Sequence, residues 1–444
     1  MYPVALDKET KMIFRIENLG LIERAEINLN KDLILLCGHN NTGKSYIAYG
    51  IYHWLTLNKK PALVNSVIKK KMAAKIETTA IRNQQMVINL VEIFRTCVSP
   101  QEVLFNQILK QYQHSLGEFF ASPASFSTTK AYLEISPQEI ENRIRLNGEG
   151  LMTLSMNSVP ENLDQVATNI VTQLIDSIFN FRAYIAPAER SAINIFSREL
   201  SLRKNQLLNL LLKNRNSNEI FDLLSSRVNR YPQPIRDNLE MAEDLATLNK
   251  RTSEFGDLAD ELEQCFLKGK IHISVEGEAR YIPNNAPTQN FEMHLTSSLV
   301  KSLANLVFYL RYLAKRGDYI IIDEPELNLH PNNQILIARF LGRLVNAGFK
   351  VIASTHSDYI IMEMNSLIML TKPDDKTADL RNKYGYAKNQ LLKPEQVGAY
   401  LFKEGSQRSE MIKVNETGLE IETIDEVVKI LNESSRDIYF TLFD

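Results

Sequence analysis

Cysteine is scarce in this chain of 444 residues: Cys37, Cys97 and Cys265 are the three present, and no two are neighbours. Thiols so dispersed give neither a disulfide framework nor a zinc-ligand spacing, and they fit a reducing cytoplasm. No apolar run reaches the length of a membrane span. The opening Met1-Tyr-Pro-Val-Ala-Leu-Asp-Lys8 has no signal-peptide pattern. An excess of one charge is also missing. Lys and Arg number 51 against 53 Asp and Glu, a net charge of −2, so no bulk electrostatic pull toward DNA or a membrane is expected. No nucleophile elbow, HExxH or HNH-like pattern occurs, nor any repeat or low-complexity segment. What remains is an ordinary globular composition, 44% hydrophobic, with length enough for two domains and a large core.

Against that plain background one segment stands out. Residues 38–45 read Gly-His-Asn-Asn-Thr-Gly-Lys-Ser, a complete G-x-x-x-x-G-K-S loop, directly after the apolar run Leu33–Cys37. A strand that ends in a glycine-rich turn and opens into a helix gathers backbone N–H groups toward one point, where they cradle nucleotide phosphates. Gly38, Asn40, Asn41, Thr42, Gly43, Lys44, Ser45 and Tyr46 are the expected nucleotide-binding residues. Lys44 serves the outer phosphates and Ser45 offers its hydroxyl to Mg²⁺. The bland alternative is a Gly-containing turn with an exposed lysine.

Two further apolar runs end in polar residues. Tyr319-Ile-Ile-Ile-Asp-Glu324 closes on two carboxylates. Asp323 is placed to hold the metal, and Glu324 to polarise an attacking water. Acids at a strand end are weak evidence alone, because the chain is leaving the core there; with a phosphate loop they gain weight. Lys350-Val-Ile-Ala-Ser-Thr-His356 ends in a histidine. A lone His is usually structural, but a phosphate loop, then Asp-Glu, then Thr-His is the order of ABC-type ATPases.

The stretch Asp323-Glu-Pro-Glu-Leu-Asn-Leu-His-Pro331 resembles the extended acidic motif of the OLD-like, SMC-related ATPases of bacteria. The resemblance covers about 12–56 and 270–372. It implies ATP and Mg²⁺ as cofactors, a γ-phosphate-sensing role for His356, and a dimer-interface position for Leu329-His330-Pro331. It also implies a signature motif before the acidic strand. Leu295-Thr-Ser-Ser-Leu299 is the candidate, with Ser298 where the family has Gly. It precedes an amphipathic helix bearing Leu299, Leu303, Leu306, Val307, Leu310 and Leu313 on one face. Ser297 and Ser298 either face a partner subunit's nucleotide or only cap the helix. Pro187-Ala-Glu-Arg190 resembles a turn of the same family. Arg190 is a candidate nucleotide contact, a link between insert and site, or half of a salt bridge with Glu189 or another acid.

The resulting expectation is an α/β, P-loop ABC-type ATPase with a large, mainly helical insertion and a small C-terminal α/β cap. Its segments are 1–58 (phosphate loop), 59–180 (insertion), 181–190 (return strand and turn), 191–268 (helical arm), 269–372 (signature helix, acidic strand, His356) and 373–444 (cap). Met12–Asn18 and Ala25–Asn30 read as a hairpin, and residues 59–120 as helices. Ala131–Ile135, Gly150–Leu154 and Phe181–Ala186 read as strands, with a helix over Asn162–Phe179. Lys270–Val275 and Asn290–Leu295 read as paired strands. Ser366–Thr371, Tyr400–Lys403 and Ser409–Val414 are further strands, before a helix at Ile424–Asn432. No Asp-x-Asp follows His356, so a TOPRIM nuclease domain is not expected.

By resemblance to stand-alone ATPase subunits of Septu-type and PARIS-type anti-phage operons, the chain reads as an ATP-hydrolysing switch. It would form a homodimer or higher homo-oligomer around ATP and control a separately encoded nuclease or toxin. The alternatives are a RecF/SMC-like repair ATPase acting on DNA and a low-turnover regulatory scaffold. DNA or RNA stays open as a partner: Lys59, Lys60, Lys69, Lys70, Lys71 and Lys75 form a basic stretch that is either a phosphate contact or a solvated face. No membrane partner is expected.

Overall fold

The computed structural model describes residues 12–57, 70–77, 86–97, 108–122, 124–136, 138–139, 143, 152–154, 162–196, 230–274, 277–420, 433–434 and 436–441. Lys59, Lys60, Lys69, residues 197–229 of the expected arm and the expected helix at Ile424–Asn432 lie outside them. The chain divides into two compact units, one of residues 1–30 and 49–183, the other of 31–48 and 184–444.

In the first unit, β1 (Met12–Leu19) and β2 (Ile22–Asn28) form the expected hairpin. Strand β5 (Lys130–Ile135) pairs with the other edge of β1, giving the sheet order β2-β1-β5. Met12, Phe14 and Ile16 alternate into the core, the period-two signature of a half-buried strand. Residues Tyr49–Thr56 and the helix Ile108–Phe119 supply the aromatic packing. The His53 ring lies 4.8 Å from Tyr112 and 4.4 Å from Phe119. Burial there pushes its imidazole down to about 4, so His53 is a neutral core residue. A short strand, β4 (Met86–Ile88), interrupts the stretch read as wholly helical and pairs with β6 (Met152–Leu154). The helix Leu163–Phe179 is as expected.

The second unit is built on a six-stranded sheet. Its members are β3 (Leu33–Gly38), β7 (Ala183–Ala186), β11 (Tyr319–Asp323), β12 (Lys350–Thr355), β13 (Val397–Phe402) and β14 (Ser409–Ile412), in the order β14-β13-β3-β12-β11-β7. Strands β13, β3, β12 and β11 run parallel to one another, and β14 is antiparallel to β13. Unbroken apolar runs are what a parallel sheet covered on both faces demands, and Leu33–Cys37, Tyr319–Ile322 and Val351–Ala353 are all buried. Helices Gly256–Leu262, Ser298–Tyr312, Pro331–Asn346 and Asp358–Met369 share its core.

Several expectations are corrected. Residues 366–369 are the end of the helix Asp358–Met369, not a strand; the run Leu367-Ile-Met-Leu370 is apolar because one helix side is buried. Strands β8 (Gly269–Ile273) and β10 (Phe291–Glu292) do not pair with each other. β9 (Ala279–Pro283) lies between them, entered by a tight turn at Gly277, and 293–295 is a 3₁₀ turn. Within the C-terminal segment read as a small α/β cap, β13 and β14 extend the central sheet. The helix Ser298–Tyr312 is enclosed on more than one face, with Ser302, Asn305 and Phe308 buried as well as Leu303, Leu306, Val307 and Leu310.

At the end of β3, Gly38 has φ +137°, and a Cβ there would run into the Phe402 carbonyl of β13. Gly38→Ala is therefore expected to cost ~2 kcal/mol or more. The check is the urea midpoint at constant m; an unmoved midpoint refutes the close approach.

Candidate nucleotide site

The site forms where three neighbouring parallel strands end, the crevice at which open α/β sheets hold ligands. Register aligns Cys37 of β3 with Thr355 of β12, and Ser354 of β12 with Asp323 of β11. The loop after β3 uses three left-handed positions, Gly38, Asn41 (φ +61°) and Gly43 (φ +92°), which turn it tightly into the helix Lys44–Thr56. Thr42 Oγ1 donates to the His39 carbonyl at 2.8 Å and braces the turn. Asn40 and Asn41 are exposed on the loop, and Tyr46 is half-buried in the first helical turn.

Lys44 is only 5% exposed. Its Nζ donates to the carbonyls of Gly38 (2.9 Å) and His39 (2.6 Å). Burial lowers its pKa, opposed by the carboxylates of Glu324, Asp323 and Glu326. The exposed-lysine alternative does not describe this residue.

Ser45 Oγ donates to Asp323 Oδ1 at 3.1 Å, and the Ser354 hydroxyl donates to the same oxygen. Asp323 Oδ2 is buried without a hydrogen-bond partner. Burial raises the Asp323 pKa to about 6, against the two serine hydrogen bonds that lower it. A buried acceptor without a donor is costly. A cation beside it removes the cost, so the donor set Ser45 and Asp323 fits Mg²⁺, which takes few protein ligands when phosphates supply others. Among the described residues no group of three His, Cys, Asp or Glu could hold a metal by itself.

Glu324 follows in an unusual conformation, φ +51°. Its N–H donates to Ser354 O (3.1 Å) and Ser354 Oγ (3.0 Å). His356 Nδ1 lies 3.2 Å from Glu326 Oε1 and 3.8 Å from Glu324 Oε1. Glu326, the last acid of the Asp-Glu-Pro-Glu run, is a site residue that reading strand ends alone does not find. Its Oε1 accepts from Thr355 Oγ1 and from the His356 N–H, each at 2.8 Å. Gln334 is another: it accepts from Ser357 Oγ at 2.6 Å and donates to the Leu329 carbonyl at 3.0 Å. The neighbouring His330 caps the helix Pro331–Asn346, with Nδ1 accepting from Asn332 N–H. A glutamate completing a short acidic run, three residues past the metal carboxylate, was the available signal for Glu326.

With that geometry in hand, the comparison with known families is decisive: the AAA ATPase domain family matches residues 12–361. The chain belongs to that family. Solved structures similar to this chain include an SMC head bound to the C-winged-helix domain of ScpA, at 10% identity and TM-score 0.37, covering 92% of this chain and 98% of that one. Another is an SMC head with an extended coiled coil bound to the C-terminal domain of ScpA, from Pyrococcus furiosus, at 13% identity and TM-score 0.33, covering 96% and 100%. A third is the SMC head domain of Thermotoga maritima, at 12% identity and TM-score 0.30, covering 92% and 99%. No curated protein matches.

Arg190, Ser297 and Ser298 have different surroundings from the loop residues. Arg190 is 2% exposed and donates to the backbone carbonyls of Pro187 (3.1 Å), Asp323 (2.6 Å) and Glu324 (2.6 Å). Its guanidinium lies buried against the backbone at the end of the acidic strand. Ser297 is the N-cap of the helix Ser298–Tyr312, its hydroxyl accepting from Val300 N–H at 3.3 Å. Ser297 and Ser298 are exposed, as is Leu295. Of the basic stretch, Lys70, Lys71 and Lys75 are exposed on one helix.

The raised pKa of Asp323 has a consequence for stability. Between its unfolded value near 4 and its folded value of about 6, the folded state holds the extra proton. Stability therefore falls as pH rises through that window, and the penalty stays in full above it. In metal-free protein, Asp323→Asn is expected to be the more stable form at pH 8, by roughly 2–3 kcal/mol. That advantage should vanish below pH 4. Urea unfolding in EDTA across pH 3.5–8 checks it; a difference that does not grow with pH refutes it.

Proposed function

We propose that the protein is an ATP-binding and ATP-hydrolysing switch subunit that closes as a dimer around ATP and controls a separately encoded effector. The observation that carries the ATPase part is the Lys44–Ser45–Asp323 arrangement, in which the loop hydroxyl reaches a buried carboxylate whose second oxygen has no partner. Lys44 exchanges the loop carbonyls for β- and γ-phosphate oxygens when nucleotide enters. Ser45 and Asp323 would hold Mg²⁺, which when bound would neutralise charge on the phosphates. Glu324, at the tip of β11, orients the attacking water and takes its proton. His356, beside Glu324 and Glu326, faces the γ-phosphate as a sensor. The helix capped by Ser297 presents its exposed N-terminus to the partner subunit's nucleotide, where its unpaired N–H groups favour anionic phosphate. The effector role rests on the resemblance of the chain to stand-alone ATPase subunits of anti-phage operons, and on no residue of the site.

Lys44→Ala is expected to lose nucleotide binding. Glu324→Gln should keep it and lose at least tenfold in turnover, about 1.4 kcal/mol of barrier. Wild-type turnover in Glu324→Gln removes Glu324 as the base. Co-purification of neighbouring gene products with the Glu324→Gln protein, with and without ATP, tests the effector role. Absence of any ATP-dependent partner counts against it.

The dimer reading has its own test. Ser298→Arg should retain ATP binding and lose turnover. Mixed with Lys44→Ala, it should regain part of the activity, because a mixed dimer pairs one intact loop with one intact helix start. Wild-type turnover by Ser298→Arg alone removes the trans role and leaves Ser297 as a helix cap.

A further inference from the structure

We infer that Arg190 is a positioning residue of the ATPase site. It holds the Asp323–Glu324 backbone in its strained form, and Asn194 fixes it against the first turn of the helix Ser298–Tyr312. This deepens the nucleotide-site reading and rests on it.

Two backbone carbonyls, those of Asp323 and Glu324, lie where the acidic strand ends. β7 is the edge strand beside β11, and it ends at Ala186. β11 ends at Asp323, and the chain turns sharply at Glu324. Carbonyls past the end of a ladder need donors from elsewhere if they are buried. Arg190 supplies donors to both, with Nη1 on Asp323 O and Nη2 on Glu324 O, each at 2.6 Å, and Leu327 N–H shares the Glu324 carbonyl at 3.0 Å. Its planar fork spans two successive carbonyls, a geometry that a lysine amine does not reproduce.

A second observation is independent of the first. Glu324 at φ +51° is neither Gly nor Asn, and such a conformation persists only where the surroundings impose it. The impositions are visible on both sides of the residue. Ser354 holds its N–H, and Arg190 holds its C=O. Arg190 also sits on the carbonyl of Asp323, the residue whose carboxylate meets Ser45. One guanidinium therefore fixes the backbone beneath both acids.

Arg190 is itself held. It opens the helix over 190–196, and Asn194 Nδ2 donates to the Lys301 carbonyl at 2.8 Å and to the Arg190 carbonyl at 3.3 Å. Lys301 lies in the first turn of the Ser297-capped helix. The acidic strand tip and that helix start are thus referred to one short segment.

The test separates phosphate-loop binding from the acidic strand's contribution. ATP affinity is measured in EDTA, where the loop dominates, and in Mg²⁺, where Asp323 adds to it. Arg190→Lys is expected to bind ATP in EDTA within twofold of wild type. Its gain in affinity on adding Mg²⁺ should shrink at least fivefold, and turnover should fall at least tenfold. A wild-type Mg²⁺ gain in Arg190→Lys overturns the proposal, as does an equal loss in EDTA and Mg²⁺, which marks a residue that only supports folding. If Arg190→Lys does not fold, Asn194→Ala carries the test, because it frees the helix bearing Arg190 while leaving the guanidinium in place. A twofold to fivefold smaller Mg²⁺ gain then supports the proposal, and an unchanged gain overturns it. Wild-type protein that shows no ATP binding, or binding indifferent to Lys44→Ala, removes the nucleotide-site reading itself, and this proposal falls with it.

Discussion

The constraint on which the site depends is the buried carboxylate of Asp323. A charge at this depth is costly unless hydroxyls or a cation meet it, and here two serines from different elements converge on a single oxygen. Ser354 comes from β12 and Ser45 from the helix after β3, so the convergence exists only if β11, β12 and β3 keep one register. In a sheet, a slip of one residue turns every side chain to the opposite face. Such a slip would put Ala353 or Thr355 opposite Asp323. The continuous apolar sequences of the three strands carry no such discrimination, since either face of each is buried. The polar residues at their ends distinguish the register.

The same corner shows how strain is contained. The acidic strand ends, the backbone turns through a left-handed Glu324, and the chain continues into a loop closed by Leu327 N–H on the Glu324 carbonyl and Leu329 N–H on the Glu326 carbonyl. Pro325 removes one donor from this loop, and Asn328 takes a second left-handed position, at φ +64°, that an asparagine tolerates. Glu324 has no such tolerance. Its geometry is sustained by Ser354 of β12, on one side of β11, and by Arg190 of the segment that follows β7, on the other.

Much of this was legible in the sequence, for definite reasons. The phosphate loop, the acidic strand end and the Thr-His strand end each join an apolar run to polar residues, and the structure brings all three to neighbouring strand ends. The hairpin β1–β2 was legible from alternation. Leu367–Leu370 was not, because a short apolar run in a buried helix and one in a strand look alike. β9 was hidden because Ala279-Arg-Tyr-Ile-Pro283 is half-buried along its whole length and so alternates weakly. The place of β13 in the central sheet came from long-range pairing with β3, which no local pattern encodes. Arg190 was visible as a residue but not as a brace, since its partners are backbone carbonyls, and these leave no trace in side-chain identity.

Glu326 takes the same logic one step further. Its Oε1 receives the Thr355 hydroxyl and the His356 N–H, so the acidic loop, not β12 alone, sets where His356 begins. Ser357 then caps the helix Asp358–Met369 and, through Gln334, is bonded to the helix Pro331–Asn346. Gln334 in turn donates to the Leu329 carbonyl, back in the acidic loop. The loop after β11 and the loop after β12 are thereby joined at two points, one by a carboxylate and one by an amide. Asp323, Glu324 and His356 are held at fixed spacing by neutral and charged hydrogen bonds that are short in sequence on each strand and long between strands. A side chain that removes either joint would leave each strand intact and change only the distance between them, which is the quantity a nucleotide site has to control.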